Sequence, residues 1–120
     1  MKKVLIIDDD LPCLEIMEIL VNDLGCKTYT YSSWKSETIQ VIIDILPDVI
    51  ILDEYLTGVR GSEICVVLKS INQLRTVPII LVSGSHELPA IAKKSFADSF
   101  IEKPFGIEYF SDKVSRCLSA

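Results

Sequence analysis

The sequence predicts a single α/β domain, a doubly wound parallel sheet of five strands with helices on both faces. Three observations point there. Short apolar runs are unbroken rather than alternating, as strands covered on both faces must be. Segments of helical period separate those runs. A length of 120 residues with 49% hydrophobic content supplies one sizeable core and leaves no room for a second domain of ordinary size. One domain over residues 1–120 is therefore expected.

The elements follow in order. Val4–Ile7 is the first apolar run, ended by Asp8-Asp9-Asp10. Leu14, Met17, Val21 and Leu24 then repeat at three and four, and Gly25 stops that helix. Asp10, just before Leu11-Pro12, reads as its cap. Lys27–Tyr31 is β-prone but amphipathic, which suits an edge strand with Tyr29 and Tyr31 on one face. Trp34 opens a second helix over Lys35–Leu46, closed by Pro47, and reads as packing or partner surface. Val49–Leu52 is the most apolar run, and Ile64, Val67, Leu68 and Ile71 mark the helix after it. Val77–Val82 is the fourth run, with Leu88, Ile91 and Ala92 behind it. Ser99–Glu102 forms the other edge, and Ile107, Phe110, Val114 and Leu118 stripe the last helix. Right-handed crossovers turn this βαβαβαβαβα order into a parallel sheet. The expected strand order is 2-1-3-4-5, the flavodoxin-like arrangement.

Composition removes several function classes. The first apolar run is too short for a signal h-region, and no stretch approaches the roughly 20 apolar residues of a membrane span. A cytoplasmic location is expected. A net charge of −5 speaks against a nucleic-acid surface on this domain, because phosphate backbones are bound mainly through Lys and Arg. Cys13, Cys26, Cys65 and Cys117 lie far apart with no C-x-x-C pair, so they read as reduced, buried thiols. His86, the one histidine, reads as a solvent-facing residue at the start of the fourth helix.

In open α/β sheets, ligands sit beyond the carboxyl ends of the strands where the strand order reverses, here between strands 1 and 3. Those strands end in Asp8-Asp9-Asp10 and Asp53-Glu54, strand 4 in Ser83-Gly84, and strand 5 in Lys103-Pro104. Each piece alone has a bland reading as a cap, a turn residue or a solvated charge. Together they bring carboxylates, a hydroxyl and an ammonium to one rim. Clustered carboxylates repel one another, and a hard divalent cation such as Mg²⁺ relieves that cost through oxygen ligands. A phosphoryl group on one carboxylate spreads charge over its oxygens, which a metal, an ammonium and a hydroxyl can each meet. A carboxylate nucleophile beside a metal and two donors makes a phosphoryl-transfer site.

These residues, in this order, resemble the receiver domains of two-component response regulators over the whole chain. The resemblance rests on Ile6-Ile7-Asp8-Asp9-Asp10, Val49-Ile50-Ile51-Leu52-Asp53, Leu56 with Gly61, Leu81-Val82-Ser83-Gly84 and Phe100-Ile101-Glu102-Lys103-Pro104-Phe105. It implies a phosphorylation-dependent signalling switch rather than a turnover enzyme. Asp53 is then the phosphoacceptor, and Asp8, Asp9, Asp53 and the Tyr55 carbonyl hold Mg²⁺. Ser83 and Lys103 contact the phosphoryl group, with a cis Lys103-Pro104 bond, and Ser83 and Phe100 form the switch pair. Tyr55 and Ser85 flank the path of the attacking water and tune dephosphorylation. The implied partners are a sensor histidine kinase or a histidine phosphotransfer protein. A second copy or an output partner would bind the surface of the fourth helix, fifth strand and fifth helix.

Four positions depart from the family pattern. Glu54 stands where an apolar residue usually follows the phosphoacceptor, Thr57 where Pro is common, Arg60 where Asp or Asn is usual, and Phe96 where a turn often has Gly. A strained turn is expected at Phe96. Three rivals share part of the pattern. Asp8-x-Asp10 mimics the D-x-D of haloacid-dehalogenase phosphatases, but the further acidic pair and cap domain of that family have no counterpart here. A flavodoxin needs a phosphate cradle after its first strand, where three aspartates would repel the ligand. A receiver that has lost phosphorylation is the third, and the intact Asp8, Asp9, Asp53, Ser83 and Lys103 argue against it. Met1-Lys2-Lys3 reads as a natural N-terminus, belonging either to a stand-alone receiver or to the first part of a longer regulator or hybrid kinase.

Overall fold

The computed structural model describes residues 1–119. The strands are β1 (Lys3–Ile7), β2 (Lys27–Tyr31), β3 (Val49–Asp53), β4 (Ile79–Ser83) and β5 (Ser99–Glu102). The helices are α1 (Leu11–Asp23), α2 (Thr38–Ile45), α3 (Gly61–Ser70), α4 (Leu88–Lys94) and α5 (Ile107–Ser119). The sheet order is β2-β1-β3-β4-β5 with every pairing parallel, as the sequence predicts. A small antiparallel hairpin, Tyr55–Leu56 with Val59–Arg60, intervenes between β3 and α3. Gly58 makes its turn at φ +83°, a left-handed conformation open to glycine.

The sheet divides the core into two layers, because successive side chains of a strand point to opposite faces. Leu5, Ile7, Ile50, Leu52, Ile79 and Leu81 meet α2, α3 and α4 on one face. Val4, Ile6, Val49, Ile51, Ile80 and Val82 meet α1 and α5 on the other. The three central strands are fully buried apart from their ends, which is why their sequences run unbroken. Tyr29, Tyr31 and Trp34 cover the edge of the first layer. His86 is exposed.

Several local expectations are corrected. Asp10 occupies the cap position of α1, but its side chain makes no cap bond. Pro12, the second helical residue, has no N–H to offer, and the Asp10 N–H itself turns back to Asp8 Oδ1 at 2.9 Å. The second helix begins at Thr38 rather than Lys35, since Thr38 Oγ1 accepts the Lys35 N–H at 3.1 Å and holds residues 35–37 in a turn. In α3 the buried stripe is Ile64, Cys65 and Leu68, and Val67 faces solvent. Ile107 is exposed too, in the first turn of α5 ahead of the buried Phe110 and Val114. Phe96 does adopt a left-handed conformation, at φ +66°. It closes α4 as a Schellman motif, with Ala97 N–H on the Ala92 carbonyl at 3.0 Å and Phe96 N–H on that of Lys93 at 3.4 Å.

All four cysteines are free thiols, but only Cys26 and Cys65 are buried, while Cys13 and Cys117 are half-buried. Desolvation still pushes each above the usual thiol range, Cys13 and Cys65 to about 11. Among the described residues no helix is long and apolar enough to cross a membrane.

Candidate metal and phosphoryl site

Register decides what meets at the sheet's carboxyl edge. Ile7 pairs with Leu52, Leu52 with Leu81, and Ser83 with Glu102, so the residues that follow come level at one rim. Asp8 and Asp53 are thereby neighbours across the switch point between β1 and β3, flanked by Ser83 and Lys103. Asp8, Asp9 and Asp53 each present a carboxylate oxygen within 4.8 Å of the others.

Lys103 crosses over this cluster. Its Nζ donates to Asp8 Oδ2 at 3.0 Å and to Asp53 Oδ1 at 3.2 Å. The Lys103-Pro104 peptide is cis. Asp8 is fully buried and Asp53 nearly so. Burial, and next the charge of Asp8, raise the Asp53 carboxyl from its ordinary 3.8 to about 6, against the opposing pull of Lys103. Burial works to lower the Lys103 ammonium. The hydrogen bond to Asp8 and the charges of Asp53 and Asp8 together outweigh it and hold that ammonium above the usual lysine range. One cation thus serves two buried carboxylates, with a third acid alongside. That surplus of negative charge on hard oxygens fits a small divalent cation.

Ser83 is buried at the end of β4, and its hydroxyl oxygen accepts the Ser85 N–H at 3.1 Å. No hydrogen bond joins it to Asp53 among the described residues. Phe100 lies half-buried on β5, with Lys113 Nζ 4.6 Å from its ring centroid. Tyr55, two residues after Asp53, is half-exposed, with Arg60 over its ring at 5.5 Å.

The response regulator receiver domain family matches residues 4–115. The chain belongs to that family. It is 32% identical over 110 residues to the phosphate regulon transcriptional regulatory protein PhoB of Pseudomonas aeruginosa, covering 87% of this chain and 46% of that protein. This receiver domain therefore spans about half the length of the curated relatives it matches. Among solved structures it is similar to a protein of Chloroflexus aurantiacus assigned as a response regulator, with TM-score 0.92, 26% identity, and 99% and 98% of the two chains covered. It is also similar to the chemotaxis protein CheY4 of Vibrio cholerae, with TM-score 0.87, 25% identity, and 98% and 99% covered.

The unusual residues of this receiver domain link up with one another. Glu54 is fully buried, yet its carboxylate is paired: Ser62 donates its N–H at 2.6 Å and its hydroxyl at 2.9 Å. Arg60 approaches to 4.0 Å, and the Glu54 carbonyl accepts the Gly61 N–H at 2.8 Å. Gly61 is required there, because a Cβ would overlap the Asp53 carbonyl oxygen. Thr57 donates both its N–H and its hydroxyl to Asp9 Oδ2, at 3.0 and 2.9 Å. Sequence reasoning marked Glu54, Thr57 and Arg60 only as departures and missed these bonds. It also missed that Cys13 lies against Asp8 and Lys103.

Proposed function

We propose that this receiver domain takes a phosphoryl group onto Asp53 in a Mg²⁺-dependent reaction, from a sensor histidine kinase or a histidine phosphotransfer protein in the cytoplasm. The observation that carries the reading is the arrangement of Asp8, Asp9 and Asp53 around the Lys103 ammonium. Asp8, Asp9, Asp53 and the Tyr55 carbonyl are the oxygens that would hold the ion. The ion supplies charge neutralisation where negative charge builds up on the transferring group. An Asp53 carboxylate oxygen attacks the phosphorus, forming a P–O bond while the donor's P–N bond breaks. Lys103 is already between Asp8 and Asp53, placed to meet a phosphoryl oxygen once Asp53 is esterified. Ser83 supplies a further donor, and Phe100 responds to its movement. The altered surface of α4, β5 and α5 is where a second copy or an output partner binds. The domain over residues 1–120 acts as a switch that assists its own phosphorylation and dephosphorylation, without turnover of a substrate.

The test is intact mass after mixing with acetyl phosphate. Wild type is expected to gain one phosphoryl group with Mg²⁺ and none with a chelator. Labelling indifferent to the metal would contradict the reading.

Lifetime of the aspartyl phosphate depends on access of water. Tyr55, half-exposed beside the site and stacked under Arg60, is expected to screen Asp53 from in-line attack, with Ser85 on the other side. Tyr55→Asn should change the rate of phosphate loss followed by mass. An unchanged rate would show that the ring does not cover the path.

A further inference from the structure

We infer that Thr57 is a positioning residue for the metal: it fixes the Asp9 carboxylate toward Asp8 and Asp53 before any ion binds. This rests on the proposed metal role of the three aspartates. Asp8 is held by Lys103 and by the Asp10 N–H, and Asp53 by Lys103. Asp9 touches neither donor and lies exposed. Among the described residues the only hydrogen bonds to its carboxylate come from Thr57, one from the main chain and one from the hydroxyl. Both fall on Oδ2, which leaves Oδ1 without a donor among the described residues. An exposed aspartate without them would turn freely in water, and an ion would have to order it on binding.

The two bonds also join distant parts of the chain. They span 48 residues and tie the loop after β1 to the hairpin that carries Tyr55, whose carbonyl is the remaining protein ligand proposed. Proline, common at this position in the family, has neither an N–H nor a hydroxyl to give, so this chain holds its exposed acid by a device that a prolyl receiver lacks. Donors behind a metal ligand typically change metal affinity by about 10–100-fold when lost.

The test is Mn²⁺ binding to the whole chain, read from the paramagnetic resonance signal of the free ion. Wild type is compared with Thr57→Val, Thr57→Ser and Asp53→Asn, and thermal melting without metal checks the fold. Thr57→Val keeps the main-chain bond, loses the hydroxyl, and should raise the Mn²⁺ Kd about tenfold. Thr57→Ser should restore binding close to wild type, with metal-free melting unchanged in both. A Kd unaltered or lowered in Thr57→Val, while Asp53→Asn still weakens binding, overturns the positioning role and leaves the metal reading standing. Binding absent from wild type, or indifferent to Asp53→Asn, overturns both.

Discussion

Asp53→Asn is expected to stabilise the metal-free protein at neutral pH, although it removes the residue proposed to accept the phosphoryl group. The buried Asp53 carboxyl sits at about 6 against an ordinary 3.8, so the fold disfavours its charged form. The folded state then binds more protons than the unfolded chain between about pH 4 and 6, and stability falls as pH rises through that window. At pH 7 the cost is fully present and amounts to roughly 2–3 kcal/mol. Asparagine removes the charge and keeps an oxygen for Lys103, though that ammonium loses one of its two counter-charges. A net gain of roughly 1–2 kcal/mol should remain, a rise of several degrees in melting temperature. Saturating metal reverses the order. At a hundred times its Kd, Mg²⁺ adds about 2.7 kcal/mol to whatever binds it, and wild type should gain far more than the variant. Melting curves at pH 4, 6 and 7.5, with and without Mg²⁺, check both signs. A variant less stable than wild type in chelator at pH 7.5 would contradict the charge argument.

Ser83→Ala is expected to separate phosphorylation from its consequence. At rest the hydroxyl oxygen accepts the Ser85 N–H, and its own hydrogen has no partner on Asp53. A phosphoryl group on Asp53 adds roughly −1.5 to −2 charges and strong acceptors, which favours a position of β4 in which Ser83 donates to it. Such a charge-assisted bond is worth roughly 1.5–3 kcal/mol, or a shift of about 10–100-fold between resting and activated conformations. Phe100 is the residue proposed to follow; its ring is half-buried, with Lys113 Nζ 4.6 Å from its centroid. Ser83→Ala should accept phosphate yet show much smaller amide shifts at Phe100 and along α4 when beryllofluoride is added with Mg²⁺. Shifts as large as those of wild type would mean that the signal leaves the site by another route.

Much of this architecture was legible from the sequence, for physical reasons. The central strands bury both faces, so Val4–Ile7 and Val49–Leu52 carry no polar interruption and stand out against their surroundings. The parallel order then sends Asp8, Asp53, Ser83 and Lys103 to one edge, and no side-chain detail is needed to bring them together. Element ends were less legible. Thr38 starts its helix through a side-chain bond that residue type alone does not announce, whereas the left-handed turn at Phe96 was legible because phenylalanine stands where glycine is frequent. In α3, Val67 is apolar and helical in period yet exposed, since residue type does not say which side of a stripe's margin a side chain occupies. Least legible were the contacts of the loop after β3. Nothing in the letters at positions 9 and 57 marks them as partners, because their meeting depends on the path of a hairpin turned at Gly58. The pairing of Glu54 with Ser62 is similarly a property of the loop, and it explains how a carboxylate is buried where an apolar side chain is usual.

The most direct test of the account is to find where the phosphoryl group resides. Protein phosphorylated by acetyl phosphate and Mg²⁺ can be reduced with borohydride, which converts an aspartyl phosphate to homoserine, then digested and sequenced by tandem mass spectrometry. A single modified position, Asp53, is expected, with no modification in Asp53→Asn. Modification at Asp8, Asp9 or Glu54 in wild type, or persistent labelling of the Asn variant, would contradict it.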